Sequence, residues 1–223
     1  MNRSVMILAA GRGERMGALT KETPKPLLIF KGKPLIVWHI EKLAVAGFTD
    51  IVINVSYLAK KIKDYLGDGS QWGVRIFFSD EHPVLETAGG IKKALPLLKS
   101  DPFLVINSDI YSDINYAELY ELNLPKNIEG LLFFVKNPLH NRAGDFLLGD
   151  DGVVMNDGII KKTFSGVALY SHNFFYDLPN NEFIRLSDVL KGKVEKKLIK
   201  GKLFNGLWID IGTPERLMSQ DNL

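Results

Sequence analysis

Residues Val5 to Leu27 read VMILAAGRGERMGALTKETPKPL, and this stretch decides the fold. The apolar run Val5 to Ala10 has the continuity of a buried strand, and it passes directly into Gly11 and Gly13. Glycine has no Cβ, so a loop built on it lets backbone N–H groups come close to a polyanion. Arg15 and Lys25 add charge that does not depend on backbone shape. Pro24 and Pro26 fix φ on both sides of Lys25, so its stem leaves a stiff piece of chain. Strand, glycine loop and two cations together predict a triphosphate cradle. A G-x-G pair alone says little, because many glycine loops after a first strand hold no ligand. Met16 stands where G-x-G-x-x-G needs its third glycine, and no G-x-x-x-x-G-K-[ST] run occurs.

The 223 residues are enough for one sizeable α/β domain and too few for two ordinary ones. Hydrophobic residues at 46% and charged residues at 24% match a folded globular chain. A net charge of +2 implies no general attraction to nucleic acid or to a membrane surface. With no cysteine, disulfides, thiol nucleophiles and cysteine metal sites are excluded. The N-terminal apolar run is too short for a signal segment, and nothing approaches a membrane span. These features predict a cytoplasmic protein.

Outward from the loop, strands and helices alternate. Leu35, Ile36, His39, Ile40 and Leu43 recur at helical spacing, and Gly47 ends that helix. Asp50 to Val55 is a β-branched strand, Leu58 to Leu66 a helix, and Val74 to Phe78 a third strand. Leu85-Glu86-Thr87-Ala88-Gly89-Gly90 opens an amphipathic segment to Leu98, where a helix start offers free N–H groups. Read alone, it is a tight helix N-terminus that packs on the sheet and touches no ligand. Phe103 to Ile106 is continuous enough for a central strand buried on both faces. It ends in Asn107-Ser108-Asp109, and an acid past the carboxyl end of such a strand lies where open α/β sheets bind ligands. Asp109 could instead cap the helix expected from Asn115 to Leu122, although Asp113 and Asn115 are nearer.

After Gly130 the rhythm changes. Leu131 to Val135 is a strand, residues 137–146 a polar loop, and short strands follow near 146–148, 153–155 and 164–170. They predict a small antiparallel part. Asp210 stands alone among Trp208, Ile209 and Ile211. Burying an unpaired charge is costly, so this acid needs a metal, a basic partner or a hydrogen-bond network. Thr213-Pro214-Glu215 opens a terminal helix.

The pattern L-A-A-G-x-G-x-R-M…L-T…P-K-P-L, with E-T-A-G-G, N-S-D and W-I-D-I-G-T further on, resembles the sugar-1-phosphate nucleotidyltransferases. It departs at Gly17-Ala18, where the family has a basic residue and a proline, at Ala88, and at Ser108 in place of a glycine. The resemblance implies a Rossmann-like three-layer fold. Its mostly parallel sheet would bind nucleotide in residues 1–128 and sugar phosphate in 129–223. It implies nucleotide contacts from Ala10, Gly11, Gly13, Glu14, Arg15, Lys25, Glu86, Thr87 and Gly90, and catalytic work by Arg15, Lys25, Asp109 and Asp210. Asp109 and Asp210 would share Mg²⁺. Asn107, Asp109, Gly144, Asp145, Asn156, Ser165, Gly166 and Asp210 would meet the sugar phosphate. The N-P-x-H…G-D-F pattern and Thr163-Phe164-Ser165-Gly166 resemble one branch, the bacterial N-acetylmuramate α-1-phosphate uridylyltransferases of cell-wall recycling, which use UTP. The Glu-Lys-Pro motif of many other branches is absent, and His140 reads as a surface-loop histidine.

Joining two anions at an α-phosphorus needs positioning and charge stabilisation and no covalent intermediate. Mannose-1-phosphate with GTP, or glucose-1-phosphate with dTTP or UTP, remain alternative pairs. An inactive nucleotide-binding module conflicts with intact Lys25, Asp109 and Asp210. A glycosyltransferase of similar architecture would carry D-x-D near Asp109 to Asp113, and none is present there.

Overall fold

Strand β1 (Ser4–Leu8) is the axis of the molecule, a computed structural model that describes residues 3–219. Its side chains alternate between two cores: Val5 and Ile7 enter one, Met6 the other, and all three are fully buried. Each such burial contributes about 1.5–3 kcal/mol, which is why the strand reads as an unbroken apolar run. After it come two 3₁₀ turns, Glu14–Thr20 and Lys25–Leu27, and a hairpin of β2 (Ile29–Phe30) and β3 (Lys33–Pro34). Helix α1 (Leu35–Val45), β4 (Asp50–Val55), α2 (Ala59–Leu66), β5 (Arg75–Asp80), α3 (Glu86–Ala94) and β6 (Phe103–Asn107) follow as expected. Next are β7 (Ile110–Ser112), α4 (Tyr116–Glu121), β8 (Gly130–Val135), β9 (Phe146–Leu148), β10 (Val154–Met155) and β11 (Lys161–Tyr170). The chain closes with α5 (Asn173–Tyr176), α6 (Leu186–Glu195), β12 (Ile199–Leu203), β13 (Trp208–Asp210) and α7 (Pro214–Ser219).

Strands β6, β1, β4 and β5 run parallel, so the loops after β1 and β6 emerge at one edge. Antiparallel β11 joins the other side of β6 and extends the sheet to β8 and β9, making nine strands in all. The architecture is the α/β class expected, with helices over both faces of a central sheet and a small antiparallel region. Residues 171–205 carried no sequence assignment, yet α6 and β12 complete the second core through Leu190, Val194 and Ile199. No helix among the described residues is long and apolar enough to cross a membrane.

His39 lies fully inside the first core, where its Nδ1 shares a 2.9 Å hydrogen bond with the Tyr116 hydroxyl. Burial penalises the imidazolium and lowers its pKa to about 4. The same burial raises that of Tyr116.

Candidate active site

The parallel ends of β1, β4 and β6 set the loop of residues 9–13. The Ala9 N–H donates to Asn54 Oδ1 at 2.8 Å, and the Ser108 N–H donates to the Leu8 carbonyl at 3.1 Å. Gly13 turns the chain at φ +66°, and its carbonyl accepts from the Met16 N–H at 2.8 Å and the Thr20 hydroxyl at 3.0 Å. Met16 is buried with Leu28, Phe30, Leu35, Ile209 and Ile211, so one small core anchors both the loop and the strand that carries Asp210. A Cβ built on Gly11 would meet no protein atom within 4 Å. The chain itself therefore leaves that space open beside the cavity.

A cavity of about 520 Å³ opens over this loop. Of the predicted residues, Ala10, Gly11, Gly13, Glu14, Arg15 and Lys25 line it, together with Glu86, Thr87, Asn107 and Asp109. Lys25 is buried and its Nζ forms an ion pair with Asp109 Oδ2. Partial burial strengthens such a pair, because water screens it less. Asn115, not Asp109, caps α4 by accepting from the Ala117 N–H at 3.1 Å. Sequence reasoning missed Arg12, Asn54 and Glu81, which also line the cavity.

Asp210 reaches the same neighbourhood through long-range pairing. Strand β13 lies antiparallel to β7 with Asp210 opposite Ile110, and the Ile211 N–H donates to the Asp109 carbonyl at 2.8 Å. One oxygen, Asp210 Oδ2, accepts from Arg216 Nη1 at 3.0 Å and lies 3.1 Å from His140 Nε2. The basic partner considered for this acid is thus present in Arg216, and His140, a loop residue, also contacts it. Arg216 follows Asp210 by less than two helical turns, a signal the sequence did offer; His140 gave none. Among the described residues no group of three or more acidic or imidazole side chains has metal-ligand spacing. The two carboxylates still fit Mg²⁺ as a donor set, since that ion takes one or two carboxylates and completes its shell with water and phosphate.

Several predicted contacts are instead part of the scaffold. Gly90 is buried and does not line the cavity: a Cβ there would come within 2.3 Å of Glu81 Oε1. The N-terminal amides of α3 are not free either, because Ala88 and Gly89 N–H groups donate to the Ile184 carbonyl at 3.0 and 3.3 Å. Among the residues predicted to meet the sugar phosphate, Asp145 accepts from the Phe164 N–H at 2.8 Å and from Asn141 Nδ2 at 3.0 Å. Gly144 packs against the Lys161–Lys162 backbone, and Asn156 Nδ2 donates to the Lys191 carbonyl on α6 at 3.1 Å. Ser165 is fully buried; its carbonyl accepts from Trp208 Nε1 at 2.9 Å, which ties β11 to β13. Gly166 lets Asn107 lie across β11, where a Cβ would approach Asn107 Nδ2 to 2.6 Å. Of the predicted acceptor residues, Asn107 and Asp109 line the cavity; Asp210 stands beside it on β13.

The family model described as nucleotidyl transferase matches residues 4–145. The chain belongs to the nucleotidyl transferase family. The N-acetylmuramate alpha-1-phosphate uridylyltransferase of Neisseria meningitidis serogroup B is 48% identical to it, covering 95% of this chain and 94% of the relative. The mannose-1-phosphate guanyltransferase of Yarrowia lipolytica is 32% identical over 96% of this chain, which spans only 62% of that relative. The crystal structure of HddC from Yersinia pseudotuberculosis superposes with a TM-score of 0.79 at 26% identity, covering 99% of this chain and 98% of the other. Across the nucleotidyl transferase family match, residues 4–145 hold the glycine loop, Lys25 and Asp109, whereas Asp210 and Arg216 lie beyond it.

Proposed function

We propose that this chain transfers a uridylyl group from UTP to N-acetylmuramate α-1-phosphate, giving the UDP-sugar and pyrophosphate in peptidoglycan recycling in the cytoplasm. The observation that carries the reaction type is the cavity lined together by the glycine loop, Arg15, Lys25 and Asp109, with Lys25 and Asp109 ion-paired. The choice of substrates is supported by 48% identity over nearly the full length of a relative with that activity in its name.

Residues 1–128 hold the nucleotide and 129–223 the acceptor. Backbone N–H groups from Ala10 to Gly13, with Arg15, bind the β- and γ-phosphates and hold pyrophosphate as it leaves. Glu86 and Thr87 face the base and ribose. Asn107 orients the acceptor. An ionised oxygen of the sugar phosphate forms the new bond to the α-phosphorus, and the bond to the bridging oxygen of the departing pyrophosphate breaks. The attacking oxygen of the sugar phosphate is already ionised near neutral pH, so no general base is needed. Lys25 bridges the two phosphates and offsets their charge. Asp109 and Asp210 would hold Mg²⁺, which when bound would supply further charge neutralisation.

³¹P NMR of UTP, N-acetylmuramate α-1-phosphate, Mg²⁺ and the protein tests this directly. The expected result is a UDP-sugar diphosphate signal with stoichiometric pyrophosphate. Transfer with GTP and mannose-1-phosphate, and none with the muramate pair, would keep the reaction type and overturn the substrates.

A further inference from the structure

Asn54 on β4 and Glu81 just after β5 are almost wholly buried, at 3% and 0% exposure, yet both line the cavity. Their hydrogen bonds form one continuous line. The Ala9 N–H, at the start of the glycine loop, donates to Asn54 Oδ1 at 2.8 Å. Asn54 Nδ2 donates to Glu81 Oε1 at 2.7 Å. The Leu85 N–H, at the start of the second loop, donates to Glu81 Oε2 at 2.9 Å. Glu81 is itself fixed at the backbone, where its N–H donates to the Val55 carbonyl and its carbonyl accepts from the Ser56 hydroxyl.

We infer that Asn54 and Glu81 are positioning residues: a polar strut that sets the distance between the phosphate loop and the base loop, and so sets nucleotide affinity. Apolar side chains would fill this position at no desolvation cost, whereas a buried carboxyl must have its hydrogen bonds met. Among the described residues no ion pair reaches Glu81. Its bonds go to the two loops instead. The residue after the braced Leu85 is Glu86, held at φ +60°, a region sparsely populated by side-chain-bearing residues. A turn in that conformation persists only where its surroundings over-determine it, and the Leu85–Glu81 bond does so. Gly90 completes the arrangement by leaving room for the Glu81 carboxyl.

The donor–acceptor order makes the strut testable by exchange. Glu81→Gln sets an amide N–H against a donor, from Asn54 or from Leu85. In Asn54→Asp/Glu81→Gln the order is restored: Asp at 54 accepts from Ala9 and from the new amide, whose oxygen accepts from Leu85. The inference rests on UTP being the nucleotide, so calorimetric titration of UTP into the unaltered protein comes first. Glu81→Gln is expected to weaken UTP binding roughly tenfold or more and to raise KM for UTP accordingly. KM for the sugar phosphate should stay within about twofold, and the exchange variant should return UTP affinity to within about fivefold. A folded Glu81→Gln protein that binds UTP as tightly as the unaltered one would overturn the strut alone. So would equal losses of both KM values. If Glu81→Gln does not fold, the exchange variant decides: folded and binding UTP supports the strut, folded and not binding overturns it. No UTP binding by the unaltered protein would overturn the nucleotide reading, and the strut with it.

Discussion

The two ends of the cavity are built differently. At the proposed phosphate-binding end, the groups facing the space come from one contiguous stretch, residues 8–15, with Lys25 close behind. At the proposed acceptor end, Asp109 lines the cavity and the pairing of β13 with β7 brings Asp210 beside it, where Asp210 already holds Arg216 and His140. The polar residues of the 137–145 loop bond mostly to one another and to β11. In the proposed reaction, the phosphate chain depends on main-chain geometry that short sequence motifs encode. The acceptor depends on side chains whose neighbours are set by the whole fold.

Removing the pair that spans the two ends should have the largest effect. Asp109→Asn or Lys25→Ala is expected to lower kcat about a thousandfold with the fold retained, as circular dichroism and pyrophosphate release would show. A loss below tenfold would mean that the pair only joins the two walls. Arg216→Ala acts on the acceptor end through Asp210, and should cost roughly tenfold to a hundredfold in activity. UTP affinity should not change; if it does, the two ends are not separable as described.

Those expectations follow the line between what was legible in the sequence and what was not. The strand–glycine–lysine stretch pointed to a phosphate cradle because its residues are neighbours in both sequence and space. Asp109 was legible for the same reason: it ends a central strand. The scaffold contacts of Gly90 and Asn156 were not legible because each sits in a motif-like segment whose packing partner, Glu81 or α6, is distant in sequence. The amides of Ala88 and Gly89 read as free because the segment that covers them, around Ile184, carried no pattern at all. His140 lay outside any periodicity, so nothing local connected it to Asp210.

The shared frame supplies a third, smaller test. His39 has a folded pKa of about 4, below its ordinary 6.5, so the unfolded chain takes up a proton first as pH falls. Its neutral burial contributes fully above about pH 6.5, and that contribution is lost progressively towards pH 4. Between pH 8 and pH 5 the protein should lose about 2 kcal/mol from this group in urea melts, and His39→Phe should flatten the profile. An unchanged profile in the variant would show that His39 does not carry the acid sensitivity. The smallest effect on the fold is expected from Gly11→Ala. Its Cβ meets no protein atom, so Tm should stay within roughly 1–2 °C while KM for UTP rises about tenfold. A lower Tm with unchanged KM would mean that Gly11 serves the loop and not the ligand.

The most direct measurement is a competition. UTP and Mg²⁺ are mixed with equal amounts of the α-1-phosphates of N-acetylmuramate, N-acetylglucosamine, glucose and mannose, and the products are identified by mass spectrometry. UDP-N-acetylmuramate as the dominant early product, absent with Asp109→Asn, is the predicted result. A different UDP-sugar, or no UDP-sugar from a folded protein that binds UTP, would contradict it.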